Sequence, residues 1–182
     1  MISIIAAIGK NNELGKKNDL LWSLPIDMKH FRETTRGHTV IMGQKTFESL
    51  GQDENGKQIG RLLPNRRNII LTLDKTFQKE GAEIVYSLDE LMILLEKTSN
   101  KKESIQQAQD EEVFIIGGGQ IYKLFIDKAD KLYITHVNES FPDAEIFFPV
   151  IDEQIWKKVK SEKHQKDEQN KYDIEFTEYL RK

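Results

Sequence analysis

The stretch of this sequence that indicates most about its fold is Phe114-Ile115-Ile116-Gly117-Gly118-Gly119-Gln120-Ile121-Tyr122. Its three consecutive apolar residues are typical of a strand that is covered on both faces. Three glycines then separate this strand from a predicted helix, and glycine permits a backbone approach that a Cβ would block. A phosphate group bound at the turn is one reason for such glycines, and packing alone is another. The dinucleotide-binding motif G-x-G-x-x-G is absent.

Similar apolar runs, rich in Ile and Val, recur along the chain and alternate with segments of helical pattern. This alternation predicts an α/β fold with a largely parallel sheet. The predicted strands are Ile2–Ile8, Thr39–Met42, Asn68–Leu73, Glu83–Tyr86, Val113–Ile116 and Lys131–Val137, followed by an antiparallel pair, Gln154–Glu162 and Tyr172–Leu180. The predicted helices are Pro25–Thr35, Thr46–Leu50, Ser87–Lys97 and Gln120–Lys128. Two polar stretches without hydrophobic periodicity are interpreted as insertions in loops, Gly51–Gly60 and Thr98–Glu112.

The composition restricts the class of protein. A length of 182 residues predicts one domain over residues 1–182. The 27 Lys and Arg nearly balance the 30 Asp and Glu, and the formal net charge of −3 is unlike that of a disordered chain or a nucleic-acid binder. The basic stretch Lys157–Lys171 is therefore interpreted as the solvated loop of a hairpin.

Cysteine and long apolar runs are both missing from the sequence. The lack of cysteine excludes disulfide frameworks, iron–sulfur clusters and thiolate zinc sites, and we predict no metal site. The longest apolar run, Ile4–Ile8, is too short to span a membrane, and the N-terminal segment is a poor signal peptide. We expect a cytoplasmic monomer with neither a membrane nor a nucleic acid as its partner.

Three further stretches carry residues suited to chemistry, and each also has a purely structural interpretation. Leu21-Trp22-Ser23-Leu24-Pro25-Ile26-Asp27 places a carboxylate in a first helical turn, where it stabilises the helix dipole or faces a ligand at the mouth of the sheet. Val40-Ile41-Met42-Gly43-Gln44-Lys45-Thr46-Phe47 presents backbone amides to an anion or is an ordinary turn. Gly60-Arg61-Leu62-Leu63-Pro64-Asn65-Arg66-Arg67-Asn68 holds three arginines, which bind a carboxylate or are solvated.

Taken together and in order, these stretches closely resemble the dihydrofolate reductase family over nearly the whole chain. Trp22, Leu24-Pro25 and Asp27 match its most specific motif, after a first strand at Met1–Ile8 and a loop containing Gly15. The other matching segments are Val40-Ile41-Met42-Gly43, Thr46-Phe47-Glu48-Ser49, Leu63-Pro64, Arg66, Asn68-Ile69-Ile70-Leu71, Ile116-Gly117-Gly118-Gly119, Tyr122, Leu132-Tyr133-Ile134-Thr135 and Phe147-Phe148-Pro149. The resemblance implies one domain with a mostly parallel sheet of about eight strands, a C-terminal antiparallel hairpin and about four flanking helices.

The resemblance also implies an oxidoreductase that transfers a hydride from NADPH to 7,8-dihydrofolate, giving 5,6,7,8-tetrahydrofolate for one-carbon metabolism. The implied catalytic residues are Asp27, Trp22 and Tyr122. Asp27 would bind the ring N–H and amino group of the pterin, while a water delivers the proton. Arg66 would bind the α-carboxylate of the glutamate tail, and Thr135 would support the pterin edge. The implied substrate-binding residues are Ile5, Ala6, Ala7, Met28, Phe31, Leu50, Leu63, Arg66, Ile116 and Thr135.

For the cofactor, the resemblance implies a pyrophosphate site at the three glycines, with a cis peptide between Gly117 and Gly118. The segment Gly9–Trp22 would act as a lid that excludes water. The implied cofactor-binding residues are Ala7, Ile8, Gly15, Leu20, Gly43, Gln44, Lys45, Thr46, Leu71, Thr72, Lys75, Gly117, Gly118, Gly119, Gln120, Ile121 and Tyr122.

The sequence departs from the family pattern at several positions. Gln44 and Gln120 stand where many members carry arginine, and Leu73 stands where a polar residue often contacts the 2′-phosphate. These three residues do not themselves predict a preference for NADPH. That preference, with NADH used less well, is implied only by the resemblance to the family. Leu21 replaces a usual proline, and Glu145 replaces a usual aspartate near the lid.

Two rival functions stay open on the sequence. A pyrimidine reductase of riboflavin synthesis shares the fold, but it should lack the Trp22/Asp27 motif and Arg66. The other rival is a pterin- or nucleotide-binding module without catalysis, which the intact Asp27 and Trp22 disfavour.

Overall fold

The structure is a computed structural model that describes residues 1–16, 19–100 and 112–182. Its main feature is a central β-sheet. The strands in these ranges are β1 (Ile2–Ile8), β2 (Glu13–Lys16), β3 (Asp19–Leu20), β4 (Thr39–Gly43), β5 (Arg67–Leu71), β6 (Glu83–Val85), β7 (Val113–Gly117), β8 (Lys131–Val137), β9 (Ile146–Phe147), β10 (Trp156–His164) and β11 (Ile174–Arg181). The helices are α1 (Pro25–Thr35), α2 (Gln44–Ser49), α3 (Leu88–Asn100) and α4 (Gly119–Phe125).

Eight of the strands in the described ranges form the central sheet, in the order β10-β11-β8-β1-β7-β4-β5-β6. The pairs from β8 to β6 are parallel, whereas β11 runs antiparallel to both β8 and β10. The predicted fold class is thereby confirmed: a mostly parallel sheet of eight strands ends in an antiparallel hairpin and is flanked by helices.

Alternation along β1 divides the core between the two faces of the sheet. The Ile4, Ala6 and Ile8 side chains belong to a cluster that includes residues of α3 and α4. Ile5 lies on the other face, in a cluster that includes Phe31 of α1 and Phe47 of α2. The strands thus bury apolar side chains on both faces, as their continuous apolar sequences predict.

Several predicted boundaries differ from the observed ones. Helix α2 begins at Gln44 rather than Thr46 and therefore follows Gly43 directly. Helix α3 continues to Asn100, so the first part of the predicted insertion Thr98–Glu112 has a helical backbone. Residues 101–111 of that insertion lie outside the described residues.

The start of α3 carries a modified form of the predicted capping box. The Ser87 hydroxyl accepts a hydrogen bond from the Glu90 amide (3.1 Å), as expected for an N-cap. The Glu90 carboxylate, however, accepts from the Tyr86 amide (2.7 Å), one residue before the cap.

Two polar segments within the described residues, 51–60 and 157–171, take part in local hydrogen bonds or ion pairs. Residues 51–60 form a closed turn in which the Asp53 carboxylate accepts from the Asn55 and Lys57 amides, both at 2.9 Å. In the predicted basic hairpin, Lys160 pairs with Glu178 (3.1 Å) and Lys158 pairs with Glu175. Residues 157–164 are therefore largely exposed strand rather than loop, and two of the lysines pair with acidic side chains of β11. The hairpin is solvated as predicted, but its loop is shorter than the predicted stretch.

A small second sheet, in the order β3-β2-β9, was not predicted from the sequence. Its strands are two to four residues long and carry no apolar alternation, so no periodic signal marks them. Among the described residues, no helix combines the length and the apolarity that crossing a bilayer demands.

Candidate active site

The predicted site residues converge at the carboxyl ends of the parallel strands, where open α/β sheets bind their ligands. Ala7 near the end of β1 is paired with Thr135 on β8. Gly43 ends β4, and Gly117 ends β7. The first turn of α1, with Asp27, lies beside these strand ends because Asp27 contacts Thr135.

Asp27 is a carboxylate in a poorly solvated position. Burial raises the pKa of Asp27 above its usual value, and a hydrogen bond from the Thr135 side chain opposes part of that shift. Thr135 is itself buried, with 3% of its surface exposed. A carboxylate held in this way can bind a ligand's N–H groups strongly, because water competes poorly for it.

The predicted walls of an apolar substrate slot gather on the face of the sheet that carries Ile5. Five predicted wall residues belong to one cluster: Ile5, Phe31, Leu50, Leu63 and Ile116. Ala7 belongs to the neighbouring cluster around Trp22. Met28 is 41% exposed, and Ala6 lies on the opposite face of the sheet. The Ala6 side chain therefore cannot line the slot, which leaves only its backbone for that role.

Arg66 lies at the far end of α1 from Asp27. Its guanidinium donates to the Thr35 hydroxyl (2.9 Å), the Arg32 carbonyl (2.9 Å) and the Pro64 carbonyl (2.6 Å). Because a guanidinium has five N–H donors, these bonds leave one N–H on each terminal nitrogen for a carboxylate. Thr35 lies eight positions after Asp27 in the same helix, a distance of about 12 Å along the axis.

The environment of Arg66 is basic. Burial and the neighbouring Arg36 and Arg32 lower the pKa of Arg66, so an anion at this place relieves repulsion. Arg67, by contrast, forms two hydrogen bonds with the Glu83 carboxylate (2.5 and 2.8 Å). Of these two neighbouring arginines, Arg66 is the better placed for a ligand.

Two positioning residues near Arg66 were missed in the sequence analysis. Asn68 accepts from the Leu63 amide and donates to the Leu63 and Arg66 carbonyls, all at 3.0 Å, and so fixes the turn between them. Thr35 is fully buried and orients the guanidinium. Asn68 could have been suspected as a polar residue at the start of an apolar strand, but no local signal marks Thr35.

The three glycines connect β7 to α4 and contain the predicted cis peptide, between Gly117 and Gly118. Gly117 has a φ of +127°, a conformation that favours glycine. A Cβ at Gly118 would lie 3.0 Å from the Thr46 hydroxyl oxygen, and one at Gly119 would lie 2.5 Å from Ile146 Cγ2. The backbone of the three glycines therefore lines this end of the sheet, because side chains at Gly118 and Gly119 would collide with Thr46 and Ile146.

Tyr122 lies beneath the glycines and is buried. Its hydroxyl donates to the Ile5 carbonyl (2.9 Å). Burial raises the pKa of Tyr122, and the charge of Asp27 raises it further. Tyr122 is thus a neutral hydrogen-bond donor within electrostatic reach of Asp27. Ile121 and Tyr122, with Ile8 and Leu71, face the core below the strand ends.

Helix α2 presents mainly neutral groups at the end of β4. The Gln44 amide nitrogen donates to Glu48 (2.8 Å), and its oxygen accepts from the Thr72 hydroxyl. Lys45 is exposed. Lys75 lies over the Tyr86 ring, with Nζ 4.5 Å from the ring centroid. Gln120 is also exposed, at the start of α4.

The predicted lid is attached to the loop between β8 and β9. Glu13 is 2% exposed and accepts from the Phe141 amide (3.0 Å) and the Asn11 amide (2.6 Å). These amides hold the pKa of Glu13 below its usual value, despite the opposing effect of burial. The Gly15 carbonyl accepts from the Glu145 amide (3.0 Å), and Gly15 pairs with Leu20 across β2 and β3.

Trp22 follows the lid and is buried. Its ring packs against Phe141, with the ring centroids 4.8 Å apart. The indole N–H has no hydrogen-bond partner among the described residues. In the same ranges, no group of three or more acidic or histidine side chains is placed to hold a metal ion.

The sequence matches a known family over nearly its whole length. A sequence model described as dihydrofolate reductase matches residues 1–181. The chain belongs to the dihydrofolate reductase family. Among named relatives, the dihydrofolate reductase of Bacillus subtilis is 41% identical over 182 residues, covering 100% of this chain and 95% of the relative. That of Staphylococcus haemolyticus is 40% identical over 180 residues, covering 99% and 95%.

A solved structure of the same family has a similar fold. The dihydrofolate reductase from Enterococcus faecalis, in complex with NADP(H) and RAB-propyl, superimposes with a TM-score of 0.80 at 32% identity. The match covers 100% of this chain and 96% of that one. Membership in the dihydrofolate reductase family decides against the riboflavin-pathway reductase as the chain's nearest class.

Proposed function

We propose that this chain is an NADPH-dependent dihydrofolate reductase whose reaction is centred on Asp27. The observation that carries the proposal is one partly buried carboxylate that is hydrogen-bonded to Thr135 and lies on the same helix as Phe31 of the apolar cluster. The family's reaction adds a hydride to a ring carbon of dihydrofolate and a proton to the neighbouring nitrogen. The product is tetrahydrofolate.

Asp27 and Arg66 would recognise opposite ends of the substrate. Asp27 accepts hydrogen bonds from the ring N–H and amino group of the pterin, and Thr135 holds the carboxylate in place. Since Asp27 is the slot's one expected carboxylate and lies away from the reacting nitrogen, a water delivers the proton. The two unused N–H groups of Arg66 bind the α-carboxylate of the glutamate tail as a parallel pair.

The residues at the strand ends fit a dinucleotide cofactor. Backbone at Gly117, Gly118 and Gly43 offers amides to phosphates, and the Thr46 hydroxyl borders the same surface. When bound there, the nicotinamide supplies the hydride. Tyr122 supports this arrangement by fixing the Ile5 carbonyl, while Gly15 and Leu20 belong to the lid that would exclude water.

We expect a cytoplasmic monomer, as the sequence predicts. Light scattering coupled to size-exclusion chromatography measures the assembly state directly, and a dimer would overturn that part of the proposal.

The decisive experiment mixes the protein with dihydrofolate and NADPH and follows the loss of NADPH absorbance. Turnover by the wild type, little turnover by Asp27→Asn, and full turnover by Asp127→Asn are the expected results. Asp127 is exposed after α4 and provides the same chemical change outside the site. Cofactor and substrate binding without turnover in the wild type would instead favour the non-catalytic module.

A further inference from the structure

Helix α1 begins without a cap from its own sequence. Its capping position is Leu24, which makes no side-chain hydrogen bond, and its first residue, Pro25, has no N–H to donate. The amides of the first helical turn have no partner within the helix. The Ile26 amide, directly before Asp27, therefore needs an acceptor from elsewhere in the chain.

That acceptor is Asn170, 144 residues later, in the loop between β10 and β11. Its side-chain oxygen accepts from the Ile26 amide at 3.1 Å. Asn170 is 6% exposed, unlike its neighbours in the same loop. A buried amide side chain that reaches from a surface loop to the start of a helix is therefore the distant N-cap of α1.

Asn170 is itself held by Asp167. Its side-chain nitrogen donates to both carboxylate oxygens, at 3.0 and 3.1 Å. Its backbone amide donates to the same carboxylate (2.7 Å), and its carbonyl accepts from the Asp167 amide (2.9 Å). With the nitrogen bound to a carboxylate, the oxygen is left to point at Ile26.

The same loop is attached to the strand that carries Thr135. The Asp173 carbonyl accepts from the Asn138 amide (2.9 Å), just after β8 ends. Ile174 and Tyr172 pack in the cluster that contains Trp22. The hairpin end therefore joins α1, which supplies Asp27, to β8, which supplies Thr135.

We propose that Asn170 is a positioning residue of the active site, which caps α1 from the C-terminal hairpin and thereby holds Asp27 against Thr135. The inference rests on the proposed function of Asp27. It adds a contribution from a loop that shares no residue with the substrate slot or with the glycine-rich turn.

Removing the cap should affect the two ligands differently. In Asn170→Ala the first turn of α1 loses its acceptor and the position of Asp27 becomes less defined. KM for dihydrofolate should rise and kcat should fall, each by about threefold to tenfold, because the stability that a lost N-cap removes from the first turn is also removed from the position of Asp27. KM for NADPH should not change, because the glycine-rich turn lies on β7 and α4.

The test compares three variants with the wild type. Asn170→Ala removes the cap. Gln169→Ala is the matched control, because Gln169 is exposed and its described bond to Asp167 uses the backbone amide. The double variant Asp167→Asn with Asn170→Asp exchanges the two side chains, so that an oxygen still faces Ile26 and an amide still faces a carboxylate.

Two measurements are made on each variant: steady-state kinetics and hydrogen exchange at the Ile26 amide. Exchange should be about tenfold faster in Asn170→Ala, because no helical bond protects that amide. The double variant Asp167→Asn with Asn170→Asp should restore both the protection of the Ile26 amide and the KM for dihydrofolate. If Asn170→Ala does not fold, the inference is still tested by comparing the double variant with Gln169→Ala in both measurements.

The outcomes separate this inference from the proposed function. An inactive wild type would overturn the proposed function, and Ile26 exchange would still report the cap. An active wild type with kinetics identical in Asn170→Ala and Gln169→Ala would overturn the positioning role. A folded double variant in which the Ile26 amide is unprotected and the KM for dihydrofolate is raised would also overturn it.

Discussion

The substrate half and the cofactor half of the proposed site hold their polar groups in different ways. In the substrate half, Asp27 is half-buried against Thr135, and Arg66 is fixed by three hydrogen bonds to protein acceptors. In the cofactor half, glycine backbone provides the surface, and the cations Lys45 and Lys75 are exposed.

This difference predicts where charge controls recognition. A charge fixed in a poorly solvated position interacts strongly with a ligand, whereas an exposed lysine is mobile, hydrated and screened by salt. Substitutions of single charges should therefore be severe in the substrate half and mild in the cofactor half.

The largest effect is expected for Asp27→Asn. At pH 7, kcat should fall by about 10²- to 10⁴-fold, because the charge that orients the pterin and supports proton delivery is removed while its shape is kept. The dissociation constant of NADPH, measured by fluorescence titration, should stay unchanged. A comparable loss in NADPH affinity would contradict the separation between the two halves.

A smaller effect is expected for Arg66→Ala. Losing a charge-assisted pair should weaken folate binding by about 2–4 kcal/mol, which is about 30- to 700-fold in affinity. Antifolates without a glutamate tail should bind almost as before. Arg61→Ala, at an exposed position nearby, serves as the control. Equal losses for both ligand types would show that Arg66 has only a structural role.

The cofactor half should show the mildest charge effects. We expect a preference for NADPH over NADH that is narrower than in family members with two arginines at the positions of Gln44 and Gln120. Lys45→Ala should reduce the ratio of kcat/KM values for the two cofactors by about fivefold or less, since exposed ion pairs contribute about 1 kcal/mol at most. An unchanged ratio would show that the 2′-phosphate is recognised elsewhere.

The converse substitution and added salt sharpen this test. Gln44→Arg should widen the ratio, because a guanidinium would replace an amide that now donates to Glu48. Rising ionic strength should narrow the ratio in the wild type. A ratio that is insensitive to salt would indicate a buried cation rather than an exposed one.

The smallest expected effect is on stability. Because burial raises the pKa of Asp27, the native state keeps this proton to a higher pH than the unfolded chain does. Its contribution to stability is present at low pH and is lost as pH rises through the window between the two pKa values. Asp27→Asn should therefore raise Tm at pH 7 and have little effect below the unfolded pKa. A lower Tm at pH 7 would contradict the burial argument.

Helix α1 shows how much of the site the sequence could predict. Its bounds, Pro25–Thr35, are confirmed, because proline at a first-turn position and the change in pattern are local signals. The role of Asn170 could not be predicted, because it depends on a contact across 144 residues. A sequence pattern reports which groups a helix needs, and tertiary structure decides which residue supplies them.

The first strand shows a different limit. The alternation of β1 places the Ala6 side chain on the face opposite to Ile5. Because both faces of the strand are apolar, the sequence does not show which face lines the substrate site. The second sheet was missed for a different reason, since its strands of two to four residues are too short to show a periodic pattern. Motif order predicted the fold and the candidate residues, whereas side-chain direction needed the structure.

The central claim is that the charge of Asp27, and not merely its shape, drives the reaction. The most direct test is the single-turnover rate of hydride transfer in the wild type and in Asp27→Asn between pH 8 and pH 5. The account predicts a large difference at pH 7 that shrinks as pH falls, because solvent then protonates the substrate without help from the carboxylate. An Asp27→Asn rate equal to the wild-type rate at pH 7, or a difference that is constant with pH, would contradict it.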